Sequence, residues 1–62
     1  MKVNFKSLKL GDKLLIDNDI YMKVQLSNTY GDLYNAVNIE TADMYYVEPD
    51  CEIIKINNKV IN

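Results

Sequence analysis

The sequence predicts a small all-β protein built from antiparallel strands, and three observations carry that prediction. Apolar and polar residues alternate at period two, most cleanly over Ile20-Tyr21-Met22-Lys23-Val24-Gln25-Leu26, which sets Ile20, Met22, Val24 and Leu26 on one strand face and Tyr21, Lys23 and Gln25 on the other. No segment repeats apolar residues at i, i+3, i+4 and i+7 for long enough to build an amphipathic helix. The two glycines, the single proline and several Asn/Asp residues fall between the alternating runs, where turns are needed.

Taken in order, Phe5 and Leu8 flank a Lys-rich segment running into Leu10-Gly11-Asp12, which reads as a lead-in loop or single turn. Lys13 to Asp17 is a short apolar strand, and Asn18-Asp19 supplies turn residues that tolerate φ > 0 before the strand from Ile20 to Leu26. Ser27 to Asp32, with Asn28 and Gly31, reads as the longest loop. Tyr34 to Ile39 resumes as a strand, with Val37 and Ile39 expected inward and Ala36 and Asn38 outward. Thr41-Ala42-Asp43 turns into a fourth strand, Met44 to Val47, which Glu48-Pro49-Asp50 ends. Cys51 to Ile56 makes the fifth, with Ile54 and Ile56 as its inward pair, and Asn57-Asn58 turns toward a short sixth at Lys59 to Ile61.

Five short antiparallel strands joined by tight turns bury one continuous core by curling into a small barrel, so the expected architecture is SH3-like. The 62 residues are enough for one domain, spanning 1–62. A chain of this size hides only about 60% of its unfolded surface, so it is marginal alone and homo-oligomerisation is expected. The apolar doublets Leu14-Leu15 and Ile53-Ile54 and the run Tyr45-Tyr46-Val47 point the same way, because alternation leaves part of each on the outer surface.

Composition removes whole classes of chemistry. The chain has no His, Arg or Trp and a single Cys, Cys51, so zinc clusters, Cys–His couples, Ser–His–Asp triads and a disulfide framework within one chain are excluded. No enzyme and no cofactor are expected. Net charge is −2 and every cation is a lysine, which argues against duplex DNA as a partner. No apolar run is long enough for a membrane span or a signal peptide, so a soluble, intracellular protein is expected. Charge is uneven: residues 1–13 carry four Lys against Asp12, for +3, and residues 40–52 carry Glu40, Asp43, Glu48, Asp50 and Glu52, for −5. Such blocks are either two solvated surfaces or complementary faces that meet between subunits.

The motif order Phe5-x-x-Leu8-x-x-Gly11-Asp12, Tyr21-x-Lys23, Ala36-Val37-Asn38-x-x-Thr41 and then Val47 resembles a group of small phage and mobile-element accessory proteins. Their common pattern is F-x-x-L-x-x-G-D, Y-x-K, A-V-N-x-x-T-G and V-x-P. The resemblance covers nearly the whole chain in short pieces. It implies an SH3-like β-barrel with an accessory role in the cytoplasm of a host cell, in the manner of counter-defence factors that sequester a nucleotide signal or block a protein. Ala42 stands where those relatives usually place Gly, so a left-handed turn there would be strained.

The candidate ligand-binding residues are Tyr21, Lys23, Tyr34, Asn35, Asn38, Tyr45 and Tyr46. Tyr21 and Lys23 share a strand face, where a ring can stack and an ammonium can meet a phosphate. Asn35 and Asn38 carry amides able to read a base edge, against the plainer role of turn hydrogen bonding. Tyr30, Tyr34, Tyr45 and Tyr46 flank two consecutive connections, and rings so placed remain partly exposed. Two functions follow as expectations. One is a sponge that binds a small cyclic nucleotide signal without cleaving it. The alternative is an inhibitor or adapter that meets a host protein through Tyr45, Tyr46 and the acidic 40–52 segment.

Overall fold

A computed structural model describes residues 1–56; the expected turn at Asn57-Asn58 and the strand at 59–61 lie outside the described residues. The structure is all-β and antiparallel. It consists of β1 (Lys2–Asn4), a 3-10 turn (Phe5–Ser7), β2 (Lys13–Ile16), β3 (Asp19–Thr29), β4 (Asp32–Asn38), β5 (Met44–Tyr45) and β6 (Glu52–Ile56). These strands form a single sheet in the order β1-β6-β2-β3-β4-β5, every neighbouring pair antiparallel.

The expected five-stranded barrel is corrected to an open six-stranded sheet. Residues 2–4, to which the sequence reading assigned no strand, pair with β6, through Lys2 opposite Ile54 and Asn4 opposite Glu52. At the other edge β5 is only two residues long, so the fourth strand stops short of Val47. The two edges, β1 and β5, do not pair and the sheet does not close.

Turn chemistry explains the hairpins. Asp17 and Asn18 both take positive φ, 50° and 70°, and Ile16 pairs with Asp19 across them. That is the two-residue turn whose twist matches antiparallel strands, and Asp and Asn are the non-glycine residues that enter it most readily. The turn therefore sits one residue earlier than Asn18-Asp19. The same device closes β3 onto β4: Tyr30 and Gly31 have φ of 53° and 84°, and Asn28 Oδ1 accepts the Gly31 N–H at 3.0 Å. The segment expected as the longest loop is thus the tip of a long hairpin, with Ser27 opposite Tyr34 and Thr29 opposite Asp32. A bulge between Lys23 and Ser27, where the register shifts, separates this tip from the body of the sheet.

Strand register decides which face each residue occupies, since directly opposed residues point the same way. Leu14 opposes Tyr21, Tyr21 opposes Asn38, Lys23 opposes Ala36, Ala36 opposes Tyr45, and Val3 opposes Ile53, which defines the inner face. There the buried cluster of Phe5, Leu8, Leu14, Ala36, Val47 and Ile53 forms, with Val3, Ile16 and Tyr21 packed against it. Two expected facings are reversed. Ala36 and Asn38 are buried while Val37 is half-buried and Ile39 exposed, and Ile53 is 8% exposed where Ile54 is 42% exposed. The alternation was correct and its parity was not, because both faces of these strands carry apolar residues. What selects the inner face is the cover: the 3-10 turn brings Phe5 and Leu8, and the return from β5 brings Val47.

The outer face consists of two rows. Ile56, Lys13, Met22, Val37 and Met44 oppose one another across β6-β2-β3-β4-β5, and Lys2, Ile54, Leu15 and Ile20 across β1-β6-β2-β3. An antiparallel sheet with one solvated face usually shows polar residues there. This one is mostly apolar on both.

Candidate functional site

Three of the seven candidate residues are committed to the scaffold by their hydrogen bonds. Asn35 is buried on β4, and its amide brackets Val47: Nδ2 donates to the Val47 carbonyl at 2.9 Å and Oδ1 accepts the Val47 N–H at 2.8 Å. The side chain thereby replaces the backbone partner that Val47 loses when β5 ends. Asn38, also buried, closes the connection to β5, its Oδ1 accepting the N–H groups of Glu40 at 2.8 Å and Thr41 at 3.1 Å. Lys23 reaches under the 3-10 turn, where Nζ donates to the carbonyls of Leu8 at 2.7 Å and Phe5 at 3.2 Å and lies 4.7 Å from the centre of the Phe5 ring. Every buried side-chain N or O among the described residues has a hydrogen-bond partner.

The tyrosines divide into separate groups. Tyr21 and Tyr45 pair on the inner face with ring centroids 5.7 Å apart at 51°, a tilted arrangement that fixes both rings. Tyr46 lines an open groove of about 320 Å³ together with Lys6, Lys23, Leu26, Asn35 and Pro49, so Lys23, Asn35 and Tyr46 are brought together. Tyr34 lies elsewhere, in a hollow of about 390 Å³ beneath the hairpin tip with Thr29, Tyr30, Leu33 and Met44. Asn38 lines neither.

The most accessible concentration of recognition chemistry is the β5 edge and its flanks. Met44, Tyr45 and Tyr46 are exposed, as are Glu40, Asp43, Glu48, Asp50 and Glu52, and Val47 alone between residues 40 and 52 is buried. The two charge blocks also meet within one chain. The N–H groups of Phe5 and Lys6 donate to the carbonyls of Cys51 and Pro49, both at 2.9 Å, and Lys6 Nζ lies 2.9 Å from the Asp50 carboxylate. Asp50 is the one acid of the 40–52 block within ion-pair range of a lysine among the described residues. Cys51 is exposed at the turn before β6.

Asp12 is more acidic than an ordinary aspartate. The backbone N–H of Lys9 donates to its Oδ2 at 2.9 Å, and together with the nearby Lys55 ammonium this outweighs partial desolvation and holds the carboxyl below the ordinary value of 3.8. The bond locks the turn that leads into β2, a structural use of the charge.

Two residues outside the seven belong with the exposed groups. Tyr30 is 100% exposed in left-handed backbone at the hairpin tip, and Met44 is 53% exposed on the edge strand. The Tyr30-Gly31 dipeptide between two strands was the available signal for the first, and a bulky residue at positive φ is where strain points to use. Among the described residues no group of three or more His, Cys, Asp or Glu is placed to hold a metal, and no helix is long and apolar enough to cross a membrane. Comparison with known protein families, curated proteins and solved structures finds no match to this chain.

Proposed function

We propose that this chain is a non-enzymatic binding protein that inhibits or adapts a protein partner through Tyr45, Tyr46 and the acidic 40–52 segment. The observation that carries this reading is the β5 edge itself. It presents Met44, Tyr45 and Tyr46 beside Glu40, Asp43 and Glu48, whose carboxylates have no lysine in ion-pair range among the described residues. Tyr is a preferred interface anchor, and Tyr45 is held in place by Tyr21, which lowers the entropy lost on binding. The carboxylates favour a basic partner surface and speed its approach. The resemblance to phage and mobile-element accessory proteins supplies the setting, a host protein as target and an SH3-like relationship as the scaffold's origin.

A nucleotide sponge is the second reading, favoured by the groove in which Lys6, Lys23 and Tyr46 meet. It ranks lower because the amides of Asn35 and Asn38 are already used by Val47, Glu40 and Thr41, and Lys23 by Phe5 and Leu8. One paired experiment separates the two. Affinity capture from host cells should retain a protein on the wild type and lose it with Tyr45→Ala and Tyr46→Ala together, while a melting screen over cyclic di- and trinucleotides should show no shift. A ligand at a hundredfold excess over its dissociation constant would stabilise by about 2.7 kcal/mol, so such a shift, without a captured protein, would install the sponge instead.

A further inference from the structure

The outer face of the sheet has no cover within the described chain. Leu15, Ile20, Met22, Val37, Ile54 and Ile56 form its centre, across β6, β2, β3 and β4. The inner face, by comparison, buries six apolar residues with the help of the 3-10 turn and the Val47 return. Contiguous apolar surface of this kind on a small monomer marks a contact surface.

Its charges identify the occupant. Lys13 stands within the apolar rows, opposite both Met22 and Ile56. Burying its ammonium without an anion would be costly. The acids at the other end of the strands are Glu52, on this face by the same parity as Ile54, and Asp17, in the β2–β3 turn; Asp19 opposes Ile16 and belongs to the inner face. Four residues of strand separate Lys13 from Asp17, about 13 Å at the usual rise.

We infer that a second copy of this chain docks face to face on this surface, about a twofold axis that lies between the two sheets at right angles to the strands. That operation reverses strand direction, so the Lys13 end of each sheet meets the end of the other that carries Glu52 and Asp17. Apolar rows stack on apolar rows, and each buried ammonium gains carboxylates. A twofold axis along the strands would set Lys13 against Lys13. The patch is only about four strands wide, small beside a standard interface of about 800 Å² per partner, so a dimer in the micromolar range is expected. The β5 edges remain free, and the dimer presents two of them.

Sedimentation equilibrium from about 1 µM to about 500 µM, the range that brackets such an interface, tests this directly. The wild type should pass from 7.2 kDa to twice that mass. Val37→Glu and Ile54→Glu should stay monomeric throughout, with melting at low concentration confirming that they fold. Lys13→Glu alone, and Glu52→Lys alone, should each weaken dimerisation by tenfold or more. Mixed together, they should recover a heterodimer, because each supplies the charge the other lacks. A wild type that remains monomeric overturns the inference, as do face variants that dimerise like the wild type or charge variants whose mixture recovers nothing.

Discussion

Ala42 holds a φ of 65°, with its N–H donating to the Asn38 carbonyl at 2.8 Å in the turn before β5. An L-residue there costs roughly 1–2 kcal/mol of backbone strain, whereas glycine costs more only in the unfolded chain, by about 0.4–1 kcal/mol. Ala42→Gly should therefore raise stability by up to about 1 kcal/mol, read as a higher urea midpoint at unchanged slope. A fall in midpoint would mean that the turn is not left-handed. This strain was legible before the structure, since the position is the one departure noted from the A-V-N-x-x-T-G pattern. The role of Asn38 was legible only as one of two possibilities, because an amide suits a base edge and a turn equally well. Asp12 makes a second prediction. Its folded-state acidity is strengthened, so the stabilisation it gives is present above the unfolded value of 3.8 and is lost as pH falls through the lowered folded value. Asp12→Asn should flatten the acid limb of a melting-temperature profile between neutral pH and that range. An unchanged acid limb would show that the Lys9 N–H bond does not persist in solution.

Among the elements, the 3-10 turn depends on a residue distant in sequence. Lys23 on β3 satisfies the Leu8 and Phe5 carbonyls and lays its stem along the Phe5 ring, so the inner cover is fastened to the sheet by one ammonium. Lys23→Met keeps the stem and removes the donors. It should cost roughly 1.5–3 kcal/mol, the range for hydrogen bonds to a charged group, with the loss measured by urea unfolding. A negligible cost would show that water replaces the ammonium freely. Nothing in the Tyr21-x-Lys23 spacing announces this role, because the partner carbonyls come from a turn eighteen and fifteen residues away in the chain. The strands themselves were far more legible. Ile20 to Lys23 alternates as read, up to the bulge that takes in Val24 to Leu26, and a turn between two apolar runs marked the β2–β3 hairpin to within one residue. The β3–β4 tip was misread as loop because its strand residues are polar, Ser27, Asn28 and Thr29, and pair only through backbone.

At the scale of the whole molecule, strand alternation establishes that residues i and i+2 share a face, and only the cover establishes which face is inside. In this chain the neighbours Leu14-Leu15, Ala36-Val37 and Ile53-Ile54 are apolar at both parities, so a one-residue choice inverts the core without offending the pattern. The open sheet has the same origin. Closure was inferred from the need to bury one continuous core, whereas the structure divides its apolar residues between a covered inner face and an outer one that no described residue covers. The β5 edge, the groove beside Tyr46 and the dimer surface all take their positions from this parity. Adjacent alanine substitutions in β2, compared below the concentration at which the chain self-associates, test it most directly. Leu14 is 0% exposed and Leu15 only half-buried, so Leu14→Ala should cost about 2–5 kcal/mol and Leu15→Ala less than about 1 kcal/mol. If Leu15→Ala proves the more damaging of the two, the sheet faces the other way and the account of both surfaces is contradicted.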